Sequence, residues 1–118
     1  MPPAAHSIVF FGVYVILTGL TLLLAPNVLL VLFGFDPTTE VWIRVLGSVV
    51  IALGAYYVVM GRAQATAFFR ATIWGRCWVF VSFLGLVVLG MAELPLILFG
   101  VADLLGALWT WRAMNKRA

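Results

Sequence analysis

Few residues in this 118-residue chain could do chemistry, and they stand out because 65% of the chain is hydrophobic and only 9% charged. Arg44, Arg76 and Asp103 are ionisable groups that fall within or at the edges of long apolar stretches. A charge near the middle of a membrane helix costs about 2.5 to 3.5 kcal/mol on insertion scales, so such a group turns into the bundle and takes a partner. Asp103 comes eight residues after Pro95, about 12 Å into its helix at about 1.5 Å per residue, and so short a side chain cannot reach back to the headgroups. Helical spacing puts it on one face with Gly100, Gly106, Ala107 and Thr110. Arg44 shares a stripe with Glu40, Gly47, Ser48, Ile51 and Ala55, and Glu40 precedes it by four residues, the favourable order for an ion pair on a helix. The expected polar centre is an Arg44–Asp103 pair in the outer half of the membrane, with Glu40, Ser48, Tyr14 and Thr110 as hydrogen-bonding neighbours. Such a pair either fixes how the helices are arranged or lines a small outward-opening cavity for a proton, a quinone-like headgroup or a lipid headgroup. Arg76, between Trp74 and Trp78 at the start of its span, is expected to lift its guanidinium to the headgroups as an anchor.

Other chemistries lack their parts. Cys77 is the only cysteine, so neither a disulfide nor a thiolate metal site can form within one chain. His6 is the only histidine, which excludes bis-histidine haem ligation and a helix-borne H-E-x-x-H zinc site. There is no G-x-S-x-G, and Asp103 has no second intramembrane aspartate, so serine and aspartyl proteolysis are both excluded. No catalytic residue, metal ligand or cofactor is expected.

The elements that must position the polar residues are membrane helices. A mean hydropathy of +1.19 and a charged fraction far below the roughly 25% of soluble domains exclude a water-soluble fold. Four stretches reach the length of about 20 apolar residues that a crossing needs: about 7–24, 37–60, 72–91 and 95–111. They predict an all-α fold, a single four-transmembrane-helix bundle over residues 1–118. Asp36-Pro37 is expected to open the second span, and Ala92-Glu93-Leu94 to join the last two in a tight hairpin. Pro26 to Phe35 is too apolar for an exposed loop and too short to cross, and is expected to form a small interfacial helix. Arg62 to Gly75 mixes arginines with Phe68, Phe69 and Ile73 and is expected to lie along anionic headgroups. No Lys or Arg precedes the first span, so it is expected to be retained and not cleaved as a signal peptide.

Lys and Arg in short loops set orientation. Arg62, Arg70, Arg76, Arg112, Lys116 and Arg117 fall on the side of the two termini and Arg44 alone on the other. Both termini are therefore expected in the cytoplasm. The net charge of +3 follows from this bias, and no nucleic-acid partner is expected. Trp42, at one membrane face, and Tyr56, Tyr57, Trp74, Trp78, Trp109 and Trp111, at the other, form the expected aromatic belts.

The run L-L-A-P-N-x-L-L, then F-G-F-D-P, V-W-I-R-V-L-G, G-A-Y-Y, F-F-R, and F-G-x-x-D-L-L-G-A in the last span resembles small bacterial four-helix membrane proteins of the DoxX-like group. The resemblance implies a four-helix bundle in the bacterial inner membrane, and some members are associated with respiratory, quinone-linked oxidoreductase complexes. The leading expectation is a non-catalytic accessory subunit or a binding protein for a small ligand or lipid. Its partners would be the bilayer and a second copy or a partner membrane subunit. The alternative is a parallel oligomeric transporter or proton-coupled carrier in which Asp103 changes protonation.

Overall fold

The structure, a computed structural model, describes residues 2–115. The chain forms five helices and, among the described residues, no strand: α1 (Pro3–Leu24), α2 (Pro26–Leu32), α3 (Trp42–Arg62), α4 (Thr66–Val88) and α5 (Pro95–Asn115). All but α2 are long and apolar enough to cross a membrane. The expected all-α four-span fold is therefore present. The basic tail residues Lys116 and Arg117 lie outside the described residues.

Local chemistry sets the boundaries and corrects three expectations. Pro26 stops α1 and opens the short helix expected after it, since proline constrains the residue before it and has no N–H to lose in a first turn. The second span opens at Trp42, not at Asp36-Pro37. Side chains hold the intervening segment as a turn: the Thr38 amide donates to Asn27 Oδ1 (2.8 Å) and the Glu40 amide to Thr38 Oγ1 (3.1 Å). The stretch from Arg62 to Gly75 is not a separate segment laid along the surface, since most of it is the first part of a span. Arg62 ends α3, and α4 begins at Thr66, because Phe69 and Thr72 are buried in the core and hold that turn in the span. At its far end α4 stops at Val88, earlier than expected. Gly90 adopts φ +79°, the Met91 amide bonds to the Leu86 carbonyl (2.9 Å) and the Gly90 amide to that of Val87 (3.0 Å). This pair of bonds closes a helix through a left-handed glycine.

Glycines decide the packing of α1 on α3. Gly12 and Gly19 on α1 face Gly54 and Gly47 on α3 with backbones touching. A Cβ on Gly12 would lie 2.9 Å from the Gly54 carbonyl oxygen, and one on Gly19 2.8 Å from that of Gly47. Helices of a membrane bundle gain from such close approach because lipid supplies no hydrophobic drive to associate. The second antiparallel pair is α4 and α5, where Phe80 and Phe83 cover Gly100. The two pairs join through α1 and α5, so the order across the molecule is α3, α1, α5, α4, with little direct contact between α3 and α4. The result is flat, with principal extents of 47 × 29 × 17 Å. Its core of Ala4, Ala5, Ile8, Phe11, Val15, Tyr57, Phe69 and Ala113 gathers toward the end where α1 starts and α5 finishes. The short α2 covers the opposite end, stacking Phe33 on Phe99 at 4.9 Å.

Candidate functional site

The polar centre is built around Arg76, not Arg44. Because α4 begins at Thr66, Arg76 stands ten residues into the helix, about 15 Å from its start. It is no interfacial anchor. Its side chain is only 2% exposed. It turns back along α4, the direction helical side chains take, and its Nε donates to the Thr72 carbonyl (3.2 Å). Nη2 donates both to Thr72 Oγ1 (3.0 Å) and to Thr110 Oγ1 of α5 (2.9 Å).

The hydroxyls around it have determined directions. Ser7 Oγ donates to the Ala4 carbonyl (2.7 Å), so the 2.7 Å contact between Ser7 and Thr110 is a donation from Thr110 to Ser7. Thr110 in turn accepts from Arg76. Thr72 Oγ1 donates to the Phe69 carbonyl (2.8 Å) while accepting from the same guanidinium. Ser7 and Thr110 are fully buried, and together these groups form a polar seam across α1, α5 and α4. Aromatic faces close the rest of the guanidinium. Its carbon lies 4.7 Å from the centre of the Phe11 ring and 5.8 Å from that of Tyr57, within cation–π range.

One nitrogen is left over. Arg76 Nη1 is buried and has no hydrogen-bond partner. It lies over Gly106, where a Cβ would come within 3.1 Å of it. Asp103 is one helical turn beyond Gly106 and half-buried. Among the described residues no ion pair or hydrogen bond joins Asp103 to Arg76. The arrangement is a guanidinium with two unused N–H groups and a carboxylate one turn away, set between aromatic rings.

The residues expected at the site separate into two groups. Thr110 joins the seam, Asp103 lies two turns from it on the same face of α5, and Tyr14 is half-buried between the rings of Phe11 and Phe99. Arg44, Glu40 and Ser48 do not join them. All three are exposed, and the expected Arg44–Asp103 pair does not form. Arg44 Nη1 donates to the carbonyls of Leu23 and Leu24 at the end of α1, and Glu40 accepts from Trp42 Nε1. The physical reason is the packing order. α3 lies against α1, so Arg44 meets the unsatisfied carbonyls and negative dipole end of α1, with α1 standing between it and α5. Tyr57, expected in an aromatic belt, is 6% exposed and belongs to the core. Tyr56, Trp109 and Trp111 are exposed within two turns of a helix end, as a belt requires, whereas Trp74 and Trp78, also exposed, stand about 12 and 18 Å into α4, too deep for a belt, because that span begins earlier than expected.

Ser7, Thr72 and Phe11 belong to the site although residue type and spacing do not mark them, and Tyr57 belongs to it although its type marks it only for a belt. The i, i+4 spacing of Thr72 and Arg76 carries a signal, since a threonine one turn before an arginine can accept from it on the same face. Among the described residues no three of His, Cys, Asp and Glu gather to hold a metal ion. Compared with protein-family models, curated proteins and solved structures, the chain matches none.

Proposed function

We propose that the chain is a non-catalytic, multi-pass protein of the bacterial inner membrane, with both termini in the cytoplasm, that binds a small neutral amphiphile at Arg76 and Asp103. It does so alone or as an accessory subunit of a larger membrane assembly. One observation carries this reading: Arg76 Nη1, buried and without an acceptor, beside a Ser7, Thr72 and Thr110 seam whose hydroxyls are all hydrogen-bonded. An unmet buried donor is costly, more so when charged, and a carbonyl or hydroxyl oxygen that reaches Nη1 from the Asp103 side would meet it. Arginine and aspartate together leave the site without formal net charge, which favours a neutral ligand. Asp103 keeps partial exposure about 12 Å from the start of α5, and at that depth the approach is from lipid.

Five of the seven Lys and Arg residues, namely Arg62, Arg70, Arg112, Lys116 and Arg117, lie at the end carrying the termini, and Arg44 lies at the other. That bias supports cytoplasmic termini, and the DoxX-like pattern supports a bacterial inner membrane.

The test compares thermal stability in detergent with and without the neutral-lipid fraction of a bacterial extract. Arg76→Met removes the guanidinium but leaves the Ser7–Thr110 and Thr72–Phe69 bonds in place, so it should fold. The parent should gain stability from the neutral fraction, and Arg76→Met and Asp103→Asn should lose most of that gain. An equal gain in the parent and both variants would overturn the proposal, as would no gain in the parent.

A further inference from the structure

A second site, independent of Arg76, lies between α4 and α5 at the end carrying the termini. Arg70, Ile73, Trp74 and Cys77 follow one another at i, i+3, i+4 and i+7 on α4, and Trp111 and Asn115 face them from α5 across a groove of about 460 Å³, a volume typical of ligand clefts. The helices are antiparallel, so Arg70 near the start of α4 and Asn115 at the end of α5 stand at the same level. Ile73, Cys77 and Trp111 lie deeper. The lining thus changes from charged and polar at the rim to apolar within, over the distance at which a lipid changes from headgroup to chain. On its other side Arg70 borders a second cavity with Gln64 and Thr66, which adds polar groups at rim level.

Charge decides the occupant. Arg62, Arg70 and Arg112 are all exposed at this end. The four acids are elsewhere: Asp36, Glu40 and Glu93 belong to the connections at the opposite end, and Asp103 lies within α5. No carboxylate side chain at this end is available to Arg70. A phosphate can pair with a guanidinium through two parallel N–H bonds, and the indole and aliphatic groups below the rim give an acyl chain an apolar wall. We infer that the α4/α5 groove binds one anionic phospholipid, with its phosphate on Arg70 and an acyl chain along Cys77 and Trp111.

The experiment uses the full chain in detergent micelles and quenches its tryptophan fluorescence with phospholipids brominated on the acyl chain. Phosphatidylglycerol and phosphatidylcholine are titrated in separate arms. Both lipids carry a phosphate, but the choline of phosphatidylcholine cancels its charge, and one arginine near an anionic headgroup gains about fivefold in affinity, so the parent should prefer phosphatidylglycerol by about that factor. Arg70→Gln should abolish the preference, Arg70→Lys should retain most of it, and Arg62→Gln should leave it unchanged. Soluble glycerol phosphate should compete poorly, because the chain supplies the rest of the binding. Trp111→Phe should lower the maximal quenching while keeping the preference. No preference in the parent would overturn the inference. An equal loss in Arg62→Gln and Arg70→Gln would also overturn it, since that marks a diffuse surface charge and no groove. Effective competition by glycerol phosphate alone would assign the site to free phosphate esters. Arg76→Met should behave as the parent in this assay, so failure here and failure of the neutral-ligand reading are distinguishable.

Discussion

At the scale of single residues, the buried polar seam makes an unusual ordering of mutational effects. Thr110→Val keeps the volume but deprives Arg76 Nη2 of one acceptor and leaves the guanidinium in place. A buried charged donor that loses its acceptor costs about 1 to 3 kcal/mol or somewhat more. Arg76→Met removes charge and donors together, and an apolar replacement of similar size for a buried ion is often neutral or stabilising. Thr110→Val should therefore unfold at lower denaturant or temperature than Arg76→Met, although it is the smaller chemical change. Equilibrium unfolding of the two variants in one detergent measures this directly, and the reverse order would mean that the guanidinium contributes net stability. The sequence shows that Asp103 and Thr110 share an inward face, because a 3.6-residue period fixes that much. It does not show which arginine joins them. Arg44 and Arg76 are equally apolar in their surroundings, and the choice between them depends on which helix stands next to α5.

At the scale of elements, that neighbour relation is written in glycines. Gly12 and Gly19 are seven residues apart, as are Gly47, Gly54 and Gly61, and a seven-residue repeat keeps one face of a helix toward one partner. The repeat is legible in the amino-acid order alone, but a glycine heptad reveals a close-packed face and not its partner. The fold places Gly12 on Gly54 and Gly19 on Gly47. Gly54→Ala would put its Cβ 2.6 Å from Ile16 Cγ1 and 2.8 Å from the Gly12 carbonyl oxygen. The backbones would have to separate, at a cost of about 1 to 3 kcal/mol. Gly85→Ala on α4 meets nothing within 4 Å and should be neutral or raise stability, by up to about 1 kcal/mol, through helix propensity. Thermal unfolding of this pair separates the two causes: equal effects would show that propensity, not the α1–α3 contact, decides. Helix boundaries are less legible than helix existence. Hydropathy sees the apolar run, whereas α4 begins and ends where Phe69 packs and Gly90 turns left-handed.

At the scale of the whole molecule, the order α3, α1, α5, α4 leaves a slab 17 Å thick in its thinnest direction, in which nearly every helix presents apolar side chains outward. Trp74, Val88 and Leu24 are each more than 70% exposed. That surface is what a span needs toward lipid, and it is why composition alone suffices to read the fold class. The proposed orientation rests on a different quantity, the distribution of five basic residues against one. Moving Arg76 from the boundary into the bundle removes it from the loop charges that count, yet the bias survives. A reporter active only in the cytoplasm should therefore work when fused after Ala118 and be silent when inserted in the connection at residues 33–41. If charge and not hydropathy holds that proposed orientation, it can be weakened without touching a span. Changing Arg62, Arg70 and Arg112 to Gln reduces the ratio to two against one, and adding Lys at Thr38 and Thr39 reverses it to two against three. The first variant should give mixed reporter activity and the second should give mostly inverted protein. Unchanged activity in both would show that orientation is set by α1 alone or by a partner present during insertion, and the proposed cytoplasmic placement of the termini would then need a determinant other than the loop arginines.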